Sequence, residues 1–246
     1  MIAKSIPSLF TIGNLFLGII AIIMVFNGDT PMAVMMIIIA MLLDGVDGRI
    51  ARALNAQSEF GKELDSLADV VSFGAAPAFI MYVVAFQDMY SPAAWIITAL
   101  FPICGALRLA RFNVITSNAG YFIGLPIPAA GSVLATLSLF SDSIPLGILV
   151  LATVVLALLM VSTVRYPNFK RVGISKTALW LVPIVIIVSL VLGIMFTDHL
   201  SKIIFIPLLL YALYGFKKTF DRRHVRKKKR ASSIEQDEDA PPEFLA

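Results

Sequence analysis

Apolar residues in this chain arrive in long unbroken runs rather than at the three-to-four or two-residue spacing of a half-buried helix or strand. MIIIAMLL, ILVLATVVLALLMV and LWLVPIVIIVSLVLGIMF have no polar face at all. Runs of roughly 18 to 20 residues cross a hydrocarbon core as helices, and eight segments approach that length: 8–26, 31–53, 60–86, 93–113, 124–140, 145–163, 178–196 and 202–216. The fifth and eighth are short, and Pro126 and Pro128 suit a helix entrance better than its interior. The expected fold is all-α, a polytopic membrane bundle of about eight helices spanning residues 1–216.

Charge orders these segments across the membrane. With the N-terminus inside and the helices alternating, all but one of the 20 lysines and arginines fall on one side, and Lys202 is the exception. The opposite loops, around NGDT, FQDMYSP, FSDS and FTDH, each carry one aspartate and neither lysine nor arginine. Cytoplasmic loops collect basic residues, so both termini are expected in the cytoplasm and the chain in the cell's cytoplasmic membrane. Residues 217–246 form a tail, first basic (KKTFDRRHVRKKKR) and then acidic, suited to anionic lipid headgroups or to anchoring topology and expected to be disordered. Lys4 before an apolar run resembles a secretory leader, but the run extends to Phe26 and meets no small-residue cleavage site, so a retained first helix is expected. A single cysteine, Cys104, excludes an internal disulfide framework.

One stretch breaks the pattern. DGVDGRIARALNAQSEFGKELDSLAD, residues 44–69, places four aspartates between two apolar runs. Asp44 and Asp47 are three apart, and Asp65 and Asp69 four apart, so on helices each pair shares a face. The intervening LNAQSE is short enough to turn a hairpin and let the faces confront each other. Four carboxylates gathered at a membrane surface are unfavourable without compensation. Hard oxygen donors with no nearby His or Cys select Mg²⁺, Mn²⁺ or Ca²⁺, and two such ions suit a phosphoryl centre. Pairing of the acids with Arg49, Arg52 and Lys62 is the structural alternative. Gly48 and Ala51 continue the Asp44 and Asp47 face, and Gly61 stands one turn before Asp65. Their small side chains leave room for a flat group, or serve close helix packing.

The order Asp47-Gly48-x2-Ala51-Arg52-x8-Gly61-x3-Asp65-x3-Asp69, with Asp44 three residues upstream, resembles the complete signature of the CDP-alcohol phosphotransferases. The resemblance implies metal-dependent transfer of a substituted phosphoryl group from a CDP-linked lipid to an alcohol, with release of CMP. It implies that Asp44, Asp47, Asp65 and Asp69 hold two divalent ions, Mg²⁺ or Mn²⁺, and that Asp69 takes the proton of the attacking hydroxyl. It places Gly48, Ala51 and Gly61 beside the cytidine, with Arg52 part of the motif. IPSLFTIGNL resembles the family's entrance segment, which sets Thr11 and Asn14 beside the nucleotide, although Ser8 replaces the asparagine common after the proline. A homodimer among membrane lipids is implied, and no nucleic-acid partner.

The flanks bear on the acceptor. LDSLADVVSFGAAPA, LRLARFNV and GLPIPAA resemble the branch that makes phosphatidylserine, which implies CDP-diacylglycerol and L-serine as substrates. By α-helical spacing, Ser72 and Phe73 lie one turn beyond Asp69 on the same face. A guanidinium from Arg108 or Arg111 can grip a carboxylate bidentately, and Asn113 can help orient an amino acid. Other acceptors within the family are glycerol 3-phosphate and inositol phosphate. A cation- or proton-coupled transporter also carries intramembrane acids, but is expected to place them near the midplane.

Overall fold

The computed structural model describes residues 2–53, 56–114 and 121–167. Seven α-helices dominate: α1 (Ile2–Phe26), α2 (Thr30–Ala53), α3 (Glu59–Asp69), α4 (Ala76–Met81), α5 (Ser91–Val114), α6 (Ile127–Ser138) and α7 (Leu146–Val161). A π-helical segment, Val70–Ala75, joins α3 to α4, and a second, Tyr82–Phe86, extends α4, making one continuous rod, Glu59–Phe86. Among the described residues, four helices are long and apolar enough to cross a membrane: Ser8–Phe26, Thr30–Gly48, Glu59–Phe86 and Ser91–Val114. They correspond to the first four expected spans.

The fifth and sixth expected spans form as shorter helices, Ile127–Ser138 and Leu146–Val161. Twelve residues rise only about 18 Å, well short of a hydrocarbon core of roughly 30 Å. Pro126 caps α6 in extended conformation and stops it from starting earlier. Nearly every side chain of α6 is buried, so it fills the centre of the bundle. The seventh and eighth expected spans, and the tail, lie outside the described residues.

An all-α reading also passes over a small ribbon. Tyr121–Ile123 pairs antiparallel with Arg165–Pro167, with Phe122 opposite Tyr166. Three-residue strands carry too little alternation to be read from sequence.

Helix α1 is mostly polar or small inside and apolar outside. Along α1, Thr11, Asn14, Gly18, Ala21 and Val25 are buried, while Leu9, Ile12, Phe16, Ile19, Ile23 and Phe26 are exposed. Such inversion suits lipid, where association rests on close packing rather than on exclusion from water. Gly18 shows the closeness: a Cβ there would stand 2.7 Å from Ser72 Cα. The core proper is built from Phe73, Ile80, Met81 and Phe86 of the rod, with Phe101, Ile127, Leu134 and Met160 packed around them.

Candidate active site

Asp44 and Asp47 come from the last half of α2, and Asp65 and Asp69 from α3. The start of α3 is fixed locally. Ser58, in extended conformation, accepts a hydrogen bond at Oγ from the Gly61 amide, 3.0 Å away, and caps the helix. From that start Asp65 and Asp69 follow one turn apart. Carboxylate oxygens of Asp44, Asp47 and Asp65 lie within 4.8 Å of one another. Asp69, only 6% exposed, stands close enough to feel the charges of Asp44, Asp65 and Asp47, and the opposing charge of Arg108.

The cluster is braced from α1, where the Thr11 hydroxyl donates to Asp47 Oδ2 at 3.1 Å in buried surroundings. Asp69 Oδ1 is buried without a hydrogen-bond partner among the described residues. Burying such an acceptor unpaired costs about 1–3 kcal/mol, more for a charged group. Gathered carboxylate oxygens with an acceptor left over are the donor set a hard divalent cation takes, so the residues fit the ions that the motif implies.

A cavity of about 680 Å³ opens beside the cluster. Its walls include Thr11, Asp47, Gly48, Ala51, Gly61 and Asp65, which brings together the small residues singled out in the sequence and two of the acids. Gly61 leaves little room to grow, since a Cβ there would stand 3.1 Å from Ser58 Oγ. Gln57, Ser58 and Lys62 also line the cavity, although LNAQSE reads from sequence only as a turn. Its polarity, and a lysine four residues beyond Ser58, are the signals that mark a ligand wall. The side chain of Arg52 lies outside the described ones. Asn14 is not in the cavity wall; it is fully buried one turn deeper along α1.

Residues 4–164 match the family model described as CDP-alcohol phosphatidyltransferase. The chain belongs to that family. It is 40% identical over 223 residues to a Helicobacter pylori protein named CDP-diacylglycerol–serine O-phosphatidyltransferase, an alignment covering 85% of this chain and 88% of that one. A Bacillus subtilis protein of the same name is 44% identical over 167 residues, 68% of this chain and 92% of its own. A Methanocaldococcus jannaschii protein, also so named, is 34% identical over 214 residues, 87% and 94% of the two chains.

In this CDP-alcohol phosphatidyltransferase the residues beyond Asp69 do not follow α-helical spacing. The π segment begins at Val70, and at its far end the Ala76 amide bonds back five residues to the Val71 carbonyl. Such wide turns recur at functional sites. The wider turn rotates the following side chains: the Ser72 hydroxyl donates to the Asn14 carbonyl of α1 at 2.9 Å, and Phe73 is fully buried in the core.

The two arginines of α5 have different surroundings. Arg108 is 6% exposed, and its guanidinium lies 5.9 Å from the Phe112 ring centroid, on the side of the bundle where it acts on Asp69. Arg111 binds backbone instead. Its Nη1 donates to the Val161 carbonyl at 2.9 Å, and its Nη2 to those of Ser162 at 3.3 Å and Ile123 at 3.4 Å. It therefore caps the C-terminus of α7, where orphan carbonyls and the helix dipole favour a cation, and ties that end to the ribbon. Gly124 makes this approach feasible: it has a φ of 80°, and a Cβ there would meet the Met160 carbonyl oxygen and stand 3.2 Å from Arg111 Nη2. Asn113 donates through Nδ2 to Ser66 Oγ at 3.0 Å, and Ser66 donates to the Lys62 carbonyl, a clamp between α5 and α3.

Proposed function

We propose that this phosphatidyltransferase moves the phosphatidyl group of CDP-diacylglycerol to the hydroxyl of L-serine and releases CMP. The observation that carries this reading is the convergence of Asp44, Asp47, Asp65 and Asp69 beside a cavity walled by Gly48, Ala51 and Gly61. Relatives that share 34–44% identity with the chain are named for transfer to serine, and the SFG after Asp69 supports the same acceptor.

The roles follow from position. Gly48, Ala51 and Gly61 admit the cytidine between α2 and α3, with Thr11 holding Asp47 in place from α1. Asp44, Asp47, Asp65 and Asp69 would hold two divalent cations, Mg²⁺ or Mn²⁺, with Ca²⁺ compatible with the same donors. Bound there, such ions supply charge neutralisation for the diphosphate and the developing negative charge at phosphorus. Asp69 accepts the proton of the serine hydroxyl as its oxygen bonds to the lipid-bearing phosphorus, the bond from that phosphorus to the CMP oxygen breaks, and CMP leaves with the electron pair. Fixed placement of donor and acceptor contributes the orientation. Of the two arginines, Arg108 reads the serine carboxylate, because it stands near Asp69 while Arg111 is committed to three carbonyls.

The enzyme lies in the cytoplasmic membrane, with this end of the α2–α3 hairpin at the cytoplasmic face. The one-sided distribution of lysine and arginine supports that orientation. Lipid stays in the bilayer and CMP departs to the cytosol. The test is purified protein with CDP-diacylglycerol, Mg²⁺ or Mn²⁺, and a panel of alcohols. CMP release that depends on serine is the expected result. Release driven by glycerol 3-phosphate or inositol phosphate instead would reassign the acceptor.

A further inference from the structure

Asn14 is 0% exposed, and among the described residues neither its Oδ1 nor its Nδ2 has a hydrogen-bond partner. A carboxamide offers two donor hydrogens and an acceptor oxygen, and native interiors seldom leave all of them unmade. The packing of α1 fixes where this group lies. Thr11 bonds Asp47, and α1 and α2 run antiparallel on either side of a three-residue turn. Three residues up α1 and three back along α2 therefore bring Asn14 level with Asp44. The same register brings the buried Ala21 level with Ile37, and Val25 level with Ala33.

From the other side, Ser72 grips the Asn14 carbonyl, three residues past Asp69. Asn14 thus sits level with Asp44 at the inner end of the acidic cluster, one turn along α1 from Thr11, which lines the cavity with Asp47. A nucleotide in that cavity leaves the Asn14 side of Asp69 to the other groups at the reacting phosphorus, the acceptor among them.

We infer that Asn14 is an acceptor-binding residue whose carboxamide oxygen takes a hydrogen bond from the α-ammonium of the incoming amino acid. This rests on the serine reading above. A neutral amide suits the place: it can hold an ammonium beside four carboxylates without adding a fifth negative charge, and the burial that leaves it unpaired lets it discriminate. A site built to bond a polar group rejects analogues that lack it far more strongly than an apolar pocket rejects a changed shape.

The test compares L-serine with 3-hydroxypropanoate, which keeps the hydroxyl and carboxylate but lacks the ammonium, in wild type, Asn14→Leu and Asn14→Ala. Binding of CDP with Mg²⁺ is measured on the same preparations. The expected result is a serine-to-hydroxypropanoate preference in kcat/KM that falls roughly tenfold or more in both variants, with CDP affinity within about twofold of wild type. An unchanged preference in whichever variant folds overturns the inference, as does a loss of CDP binding, which would return Asn14 to the nucleotide. Wild type that releases no CMP with serine would instead sink the underlying reading of function, a distinct outcome.

Discussion

Replacing Arg111 with alanine removes a guanidinium that bridges the end of α7, the residue after it and the ribbon strand. The bond to the Val161 carbonyl, at 2.9 Å, is of ordinary length, and those to Ser162 and Ile123, at 3.3 and 3.4 Å, are long. A hydrogen bond from a charged donor is worth about 1.5–3 kcal/mol, and long bonds fall at or below the bottom of that range. The helix-end charge adds roughly 0.3–1 kcal/mol. Partial access of water to the freed carbonyls offsets some of this, so Arg111→Ala should lose about 2–4 kcal/mol of stability. For a chain of this size that is a fall in Tm of roughly 4–16 °C. Arg111→Lys should recover less than half, because one ammonium cannot span three carbonyls as a planar fork does. Thermal unfolding of purified protein in detergent, followed by intrinsic fluorescence, reads the loss. Acceptor kinetics on the same samples, below the transition, should show a serine KM within about twofold of wild type, since no acceptor contact is assigned to Arg111. A variant with normal Tm and a serine KM raised tenfold would refute the capping role and make Arg111 a substrate ligand.

The remaining expectations address the site directly. Asp69→Asn should lower kcat by roughly 10²–10⁴ while leaving CDP binding largely intact, measured by CMP release and by equilibrium titration; near-normal turnover would remove Asp69 as the base. Arg108→Ala should raise the serine KM at least about tenfold, as expected when a charged partner of a carboxylate is lost, with little change in the KM for CDP-diacylglycerol; the reverse pattern would place Arg108 on the donor. Gly18→Val presses a branched side chain onto Ser72 Cα, 2.7 Å from its Cβ, and should cost about 1–3 kcal/mol as overpacking. It should also lower kcat, because the π segment that follows Asp69 must shift.

Much of the site is legible in the sequence because its spacing is helical. The three- and four-residue intervals of the aspartates, and the small residues in step with them, need only α-helices to converge, and α2 and α3 supply them. The first four spans are legible for the same reason: length and lack of polar faces are local properties. What is lost lies where the chain leaves those periods. A π segment after Asp69 turns Ser72 toward α1 and Phe73 into the core, and nothing in VVSFGA announces the change of phase. Arg111 fits a ligand-binding arginine until its three carbonyl partners, which are remote in sequence, come into view. Helix α6 has the composition of a membrane span but only twelve residues, because Pro126 delays its start and its neighbours bury it on nearly every side.

The most direct test of direct phosphatidyl transfer to serine is isotopic. Purified protein is given CDP-diacylglycerol, Mg²⁺ and L-serine carrying ¹⁸O in its hydroxyl, and both products are weighed by mass spectrometry. Attack of that oxygen on the lipid-bearing phosphorus predicts phosphatidylserine with the label retained, formed in equal amount with unlabelled CMP. CMP formed without labelled phosphatidylserine, or with phosphatidic acid in its place, would contradict it.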